Sequence, residues 1–100
     1  MIVHVVMFKI REDLDREAVK QEIKTRLDAL PAKIDVIRKW EVGLNVVPSP
    51  RAYDVVLVSA FESLDALQTY QQHPDHVAQV EYLKSVSSSI VAVDYEGAGG

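Results

Sequence analysis

The stretch that decides the fold is YDVVLVSAF, residues 53–61. Its β-branched and aromatic residues predict a β-strand. Successive side chains of a strand point to opposite faces of the sheet, and here both faces are apolar. The two sets are Val55, Leu57 and Ser59 on one face, and Val56, Val58 and Ala60 on the other. We therefore expect both faces of this strand to be covered.

The first strand, predicted over residues 2–10, has the same two-sided character. Its faces carry Val3, Val5 and Met7 on one side, and His4, Val6 and Phe8 on the other. Helices on one face of the sheet cover only one of these sets. Leaving an apolar side chain exposed to water loses ~1.5–3 kcal/mol of stabilisation. We expect a second copy of the chain to pack on the other face, which predicts a homodimer with a barrel-like core between protomers.

The spacing of apolar residues after the first strand predicts a helix over residues 15–30. Its apolar stripe is Val19, Ile23, Leu27 and Leu30. These positions recur every three or four residues, as on one side of an amphipathic helix. Asp13 or Asp15 can cap the start of this helix, and Pro31 ends it. A second strand is predicted over residues 36–47, with Gly43 as a bulge or bend, before a proline-rich turn.

The second half of the chain repeats the pattern of strand, helix and strand. Ser63 is predicted to cap a helix, and Pro74 begins a further helical stretch. The inward residues are Leu64, Leu67 and Tyr70 in the first, and Val77, Val80 and Leu83 in the second. A last strand is predicted over residues 88–96. The order predicts an α+β, ferredoxin-like protomer: βαββαβ, a four-stranded antiparallel sheet with its helices on one face. The domain spans residues 2–96, and residues 97–100 are predicted to be a flexible tail.

Composition excludes several classes of protein. The net charge of −4 disfavours nucleic-acid binding, which needs a basic face. The chain has no cysteine, so we expect no disulfide framework and no thiolate site. The apolar start, MIVHVVMFK, lacks the features of a signal peptide and is too short to span a membrane. We expect a cytoplasmic protein without membrane attachment.

The segment YQQHPDHV, residues 70–77, carries the chemistry that the sequence offers. Pro74 favours the first position of a helix, which places His73 at the cap and His76 in the first turn. The positive end of the helix and an apolar pocket both favour neutral His76, as a general base requires. Tyr70 lies one to two turns earlier and can donate its hydroxyl to an enolate oxygen. We predict that this pair performs acid–base chemistry next to a carbonyl, without a cofactor.

Structural roles for the same residues are equally open at this point. Tyr70 has the spacing of a core tyrosine, and His73 has the position of a simple helix cap. A metal site built from His73, His76 and His4 is not predicted, because the proline breaks the regular spacing of helical histidine ligands. Asp94 is interpreted as a charge at the end of a strand, and Trp40 as a packing residue.

Five segments, HVVMFK, WEVGLNV, YDVVLVSAFES, YQQHPDHV and VDYE, resemble the stress-responsive dimeric A/B barrel (Dabb) family in order and spacing. The similarity covers about residues 2 to 96 and implies a dimeric α/β barrel. One plant member closes a linear polyketide by aldol chemistry, with a tyrosine and a histidine that match Tyr70 and His76. A histidine in its first strand matches His4, whereas its strand-three histidine falls on Val55.

The leading hypothesis is a homodimer whose protomers bind a small apolar carbonyl or phenolic compound. His76 and Tyr70 are the predicted catalytic residues. The predicted substrate-binding residues are His4, Val6, Phe8, Ile23, Leu57 and His73. No metal or cofactor is predicted. The resemblance leaves two alternatives open: a non-catalytic stress-response protein and a cofactor-independent oxygenase.

Overall fold

The computed structural model describes residues 1–97, which form a four-stranded sheet and three helices. The elements are β1 (Ile2–Ile10), α1 (Arg16–Asp28), β2 (Lys39–Leu44), β3 (Val55–Phe61), α2 (Leu64–Gln72), α3 (Pro74–Val86) and β4 (Ser87–Glu96). The strand order is β2-β3-β1-β4, and every neighbouring pair is antiparallel. The predicted ferredoxin-like protomer is confirmed. Of the predicted tail, residues 98–100 lie outside the described part of the chain.

The core lies between the helices and one face of the sheet. β1 supplies Val6, Phe8 and Ile10 to it, and β3 supplies Val55, Leu57 and Phe61. The helix α1 packs on this face through Ile23 and Leu27, both on the predicted stripe. Burial of these alternate residues shows that the period-two pattern of each strand selects which side chains the helices cover.

Among residues 1–97, no helix lies on the opposite face of the sheet, which we call the open face. Its apolar side chains are Val3, Val5, Met7, Val56, Val58, Val91, Val93 and Tyr95, which the strand register brings to one side. Val93 is 61% exposed and Tyr95 is 50% exposed in the single protomer. An apolar surface this continuous is typical of an interface between subunits.

The helix α1 begins where the sequence predicts. Asp15 is its N-cap, and the Asp15 side chain accepts a hydrogen bond of 3.2 Å from the backbone N–H of Ala18. The helix ends at Asp28, two residues earlier than predicted, because the chain turns there. The backbone N–H of Leu30 donates to the carbonyl of Leu27 at 3.0 Å, and Leu30 remains fully buried.

The second strand is shorter than the predicted 36–47. β2 pairs with β3 only from Lys39 to Leu44, whereas Val36 and Ile37 lie in the preceding loop and pack against the core. The predicted bulge at Gly43 is wrong, since the register with β3 continues through it. A side chain at position 43 would come within 3.0 Å of a methyl group of Val56, so the close approach of β3 explains this glycine. The register shift of the sheet lies between Lys9 and Ile10 of β1.

The two helical stretches predicted after Ser63 and from Pro74 are α2 and α3, which are separated by His73. This residue has an extended backbone, with φ −64° and ψ 133°, as expected for a residue before proline. Ser63 caps α2 as predicted, and its hydroxyl accepts from the backbone N–H of Ala66 at 3.1 Å. Within residues 1–97, no helix is long and apolar enough to cross a membrane.

Candidate functional site

A cavity of about 270 Å³ lies between the helix-covered face of the sheet and the helices α2 and α3. Its lining residues are His4, Val6, Phe8, Leu27, Leu57, Tyr70, Gln71, His76, Gln79, Val80, Leu83, Lys84, Ile90 and Ala92. The floor comes from β1, β3 and β4, and the wall that faces it comes from the helices. Most of the lining is apolar, and the rings of His4 and His76 lie next to Tyr70.

The ring of Tyr70 lies close to both histidines that line the cavity, His4 and His76. Tyr70 is 1% exposed, and its ring centroid lies 4.4 Å from that of His76 and 6.2 Å from that of His4. Phe61 supports the Tyr70 ring from the core at 4.9 Å, and Trp40 packs edge-on at 6.0 Å. Four aromatic rings therefore pack around Tyr70 at the cavity wall.

The hydroxyl of Tyr70 makes no hydrogen bond to any residue between 1 and 97. Burial raises the pKa of Tyr70 well above its usual value, because the apolar surroundings disfavour the phenolate. The side chain therefore keeps its proton at neutral pH. It is an O–H donor at the cavity wall, without an acceptor among residues 1–97.

His76 presents the complementary group. Its Nδ1–H donates to the backbone carbonyl of Gln71 at 2.9 Å, and a carbonyl oxygen can only accept. The other ring nitrogen, Nε2, is therefore the acceptor in the neutral ring. Desolvation is the main cause that lowers the pKa of His76, opposed by the bond to Gln71 and assisted by His4 and His73. A neutral imidazole with a free lone pair is the form that a general base needs.

His4 is held by a carboxylate that the sequence interpretation assigned to a strand end. His4 is 7% exposed, and its Nδ1 forms a short hydrogen bond with a side-chain oxygen of Asp94. The two residues are direct partners in the pairing of β1 with β4. The carboxylate fixes the orientation of the His4 ring at the cavity. Asp94 belongs to the site, and the interpretation of it as a strand-end charge was wrong.

The predicted binding residues divide into two groups. His4, Val6, Phe8 and Leu57 line the cavity together with Tyr70 and His76. Ile23 and His73 do not. Ile23 is fully buried in the core under α1, and the ring of His73 caps the start of α3 instead.

Several lining residues were not singled out from the sequence. Ile90 and Ala92 lie on β4 beside the partners Phe8 and Val6, so a correct pairing of β1 with β4 would have found them. Gln79 follows His76 by one helical turn. Its side-chain oxygen is buried without a hydrogen-bond partner among residues 1–97. In that same part of the chain, no group of three or more potential ligands is placed to hold a metal ion.

Comparison with known proteins agrees with this architecture. Residues 2–97 match the family model described as the stress responsive A/B barrel domain. An uncharacterized protein of Streptomyces coelicolor is 34% identical over 97 residues, which cover 96% of this chain and 99% of that protein. A stress-response A/B barrel domain-containing protein of Arabidopsis thaliana is also 34% identical. That match covers 95% of this chain but 36% of the plant protein.

A solved structure of a dimeric protein of unknown function from Bacteroides fragilis, with a ferredoxin-like fold, superimposes with a TM-score of 0.86. Its sequence is 41% identical, and the match covers 96% of this chain and 95% of that one. The likeness extends over nearly the whole of both molecules, including the elements that build the cavity.

Proposed function

The chain belongs to the stress responsive A/B barrel domain family, and we propose that it binds a small apolar carbonyl or phenolic compound in the cavity and catalyses enolisation. The observation that carries this proposal is the pairing of Tyr70 and His76. An O–H donor without a partner and a neutral imidazole lie with ring centroids 4.4 Å apart in an apolar cavity. The Tyr70 hydroxyl can donate a hydrogen bond to a developing oxyanion, and the His76 imidazole can accept a proton from the carbon next to it.

The proposed step moves one proton and one electron pair. Nε2 of His76 accepts a proton from the carbon next to a carbonyl group. The electrons of that C–H bond form the carbon–carbon double bond of an enolate, whose oxygen accepts a hydrogen bond from the Tyr70 hydroxyl. Return of the proton to another atom gives a tautomer or isomer, and attack of the enolate on a second carbonyl gives aldol ring closure.

The size of the cavity limits the ligand. An apolar protein cavity of about 150 Å³ is enough to hold benzene. The 270 Å³ observed here suits one ring with short substituents, or a chain of similar volume. The walls from Val6, Phe8 and Leu57 contact the apolar body of such a compound, and His4 offers a polar contact oriented by Asp94.

We further propose that the protein is a homodimer that forms through the open face. Val3, Val5, Val56 and Val58 are half-buried there, and Val93 and Tyr95 are at least half-exposed in one protomer. Complete burial of an exposed apolar side chain contributes about 1.5–3 kcal/mol, and each of these side chains gains the part that corresponds to its exposed area. The dimeric state of the Bacteroides fragilis protein supports a dimer, and the exposed apolar side chains are the argument for the open face.

Hydrogen–deuterium exchange tests the proposed chemistry. A panel of small β-diketones and cyclic ketones is incubated with the protein in D₂O, and NMR follows loss of the proton next to the carbonyl. We expect His76→Gln to reduce protein-dependent exchange about 10²–10⁴-fold, as loss of a general base does. Tyr70→Phe should reduce it about 10²-fold or more, as loss of an oxyanion donor does.

Tyr82→Phe is the matched control, because Tyr82 stacks on Arg26 on α1 and does not line the cavity. Binding is measured in parallel through the fluorescence of Trp40, the sole tryptophan, whose ring lies 6.0 Å from that of Tyr70. Exchange that survives His76→Gln unchanged contradicts the catalytic assignment. Binding without any exchange favours the second candidate, a non-catalytic stress-response protein, which agrees with the family description.

A further inference from the structure

The junction between α2 and α3 has an unusual distribution of hydrogen bonds. Pro74 has no N–H, and His73 is extended, so the helical ladder stops there. The backbone N–H of Asp75 donates to Nδ1 of the His73 ring at 3.1 Å. The backbone N–H of Val77 donates to the carbonyl of His73 at 3.0 Å. His73 thus caps α3 with both its ring and its backbone.

This cap leaves one carbonyl free. In an uninterrupted helix, the N–H of Asp75 would donate to the carbonyl of Gln71, four residues earlier. Here the His73 ring takes that N–H. The carbonyl of Gln71 receives the Nδ1–H of His76 instead, at 2.9 Å. The Gln71 carbonyl is therefore open to His76, since the Asp75 N–H that a continuous helix would direct at it is bonded to the His73 ring.

We infer that His73 is a positioning residue, whose cap on Asp75 reserves the Gln71 carbonyl for His76 and so sets the tautomer of the His76 ring. A backbone N–H can only donate, so Nδ1 of His73 must carry the lone pair and its Nε2 the proton. A carbonyl can only accept, so His76 must carry its proton on Nδ1. Two histidines three residues apart are held in opposite tautomers.

The inference deepens the proposed function, since the proton on Nδ1 is what leaves Nε2 of His76 free to accept one. Free imidazole side chains in water favour the opposite form, with the proton on Nε2. The Gln71 carbonyl reverses that preference at His76. Loss of the His73 cap makes Asp75 N–H a competitor for the same carbonyl, and the His76 ring then returns toward its ordinary tautomer.

Nitrogen NMR of the unliganded protein tests this directly. Two-bond proton–nitrogen correlation spectra, recorded at a pH where histidines are neutral, identify the protonated nitrogen of each ring. The chain has three histidines, and single substitutions assign them. We expect the His76 signal of the wild type to show a protonated Nδ1 and a bare Nε2, and the His73 signal to show the reverse.

His73→Ala removes the cap, and His73→Asn is its matched control, because asparagine caps helices through a side-chain oxygen. In His73→Ala we expect both nitrogens of His76 to move toward intermediate shifts, as the Nε2-protonated form becomes populated. His73→Asn should keep the wild-type tautomer.

Two results overturn the inference. One is a wild-type His76 whose proton resides on Nε2. The other is a folded His73→Ala protein, by circular dichroism, in which the His76 tautomer is unchanged. If His73→Ala does not fold, the wild-type spectrum still tests the inference, because a His76 ring protonated on Nε2 overturns it. Because no ligand is present in these spectra, their outcome is independent of the exchange assay. If His76 has the expected tautomer but the protein catalyses no enolisation, only the proposed function is contradicted.

Discussion

Removal of the Tyr70 hydroxyl should stabilise the protein while it impairs the site. Tyr70 is 1% exposed, and its hydroxyl has no hydrogen-bond partner among residues 1–97. A hydroxyl held among apolar side chains without a protein partner costs at most about 1–3 kcal/mol, the penalty of a fully buried one. Tyr70→Phe removes this group and keeps the ring that Phe61 and Trp40 contact. We expect the free energy of unfolding to rise by about 1 kcal/mol, which moves the Tm of a domain this size by roughly 4–8 °C.

Tyr53→Phe is the control that gives the opposite sign. The hydroxyl of Tyr53 forms a 2.8 Å hydrogen bond with the hydroxyl of Ser89 on β4. Its removal breaks that bond and should cost about 0.5–1.5 kcal/mol. Both variants lose the same single oxygen atom. A difference in the sign of the change in unfolding free energy therefore reports whether the hydroxyl has a hydrogen-bond partner.

Urea unfolding followed by circular dichroism measures both effects, at one fixed protein concentration because dimerisation adds to stability. An unchanged m-value shows that both variants unfold from the same compact state. A Tyr70→Phe protein that is destabilised as much as Tyr53→Phe would refute the reasoning, since the hydroxyl would then have a partner in the folded state. It would also remove the free donor on which the proposed enolate stabilisation depends.

Three further outcomes are expected. Val93→Asp puts a charge on the open face and should give monomers in sedimentation velocity. Leu64→Asp, at an equally exposed position on α2, should leave a dimer. If both variants are dimers, dimerisation through the open face is contradicted. Ala92→Phe places a ring at the exposed edge of the cavity and should abolish the ligand-dependent change in Trp40 fluorescence. The free energy of unfolding should change by no more than about 0.5 kcal/mol. If the variant still binds, the ligand occupies a site other than this cavity. The pKa of His76 is lower in the folded state than the unfolded value of about 6.5. The resulting stability is fully present above the unfolded pKa and is lost as the pH falls through the folded pKa. Urea unfolding across this range should therefore show a shallower pH dependence for His76→Gln than for the wild type.

The strands and the sheet topology were predictable because their pattern is local. Alternation along residues 2–10 and 53–61 identifies two strands that need cover on both faces, whichever partner supplies it. The limits of β2 were not predictable in the same way. Val36 and Ile37 are apolar because their loop packs on the core, and a single sequence does not separate that cause from pairing in a sheet. Gly43 was misread for a similar reason, since crowding by Val56 is a property of the neighbouring strand.

The candidate site was predictable where a short segment contains it. Tyr70 and His76 belong to one segment, and Pro74 between them fixes the geometry of the helix start. Asp94 was missed because its role depends on register between residues 90 positions apart in the sequence. The cavity itself depends on the sum of many side-chain volumes, which no periodicity reveals. Ile23 illustrates this: it faces the helix-covered side as predicted, yet the core closes around it.

The pairing of β1 with β4 also joins the two ends of the described chain. The backbone N–H of Gly97 donates to the carbonyl of Met1 at 2.8 Å, and the amino group of Met1 lies 3.9 Å from a carboxylate oxygen of Glu96. Neighbouring ends allow a short peptide to connect them and new ends to be opened in the exposed connection between β2 and β3. We expect such a circular permutant to keep the packed core with its elements in a different order, which would show that the contacts specify the protomer and the order of the elements does not.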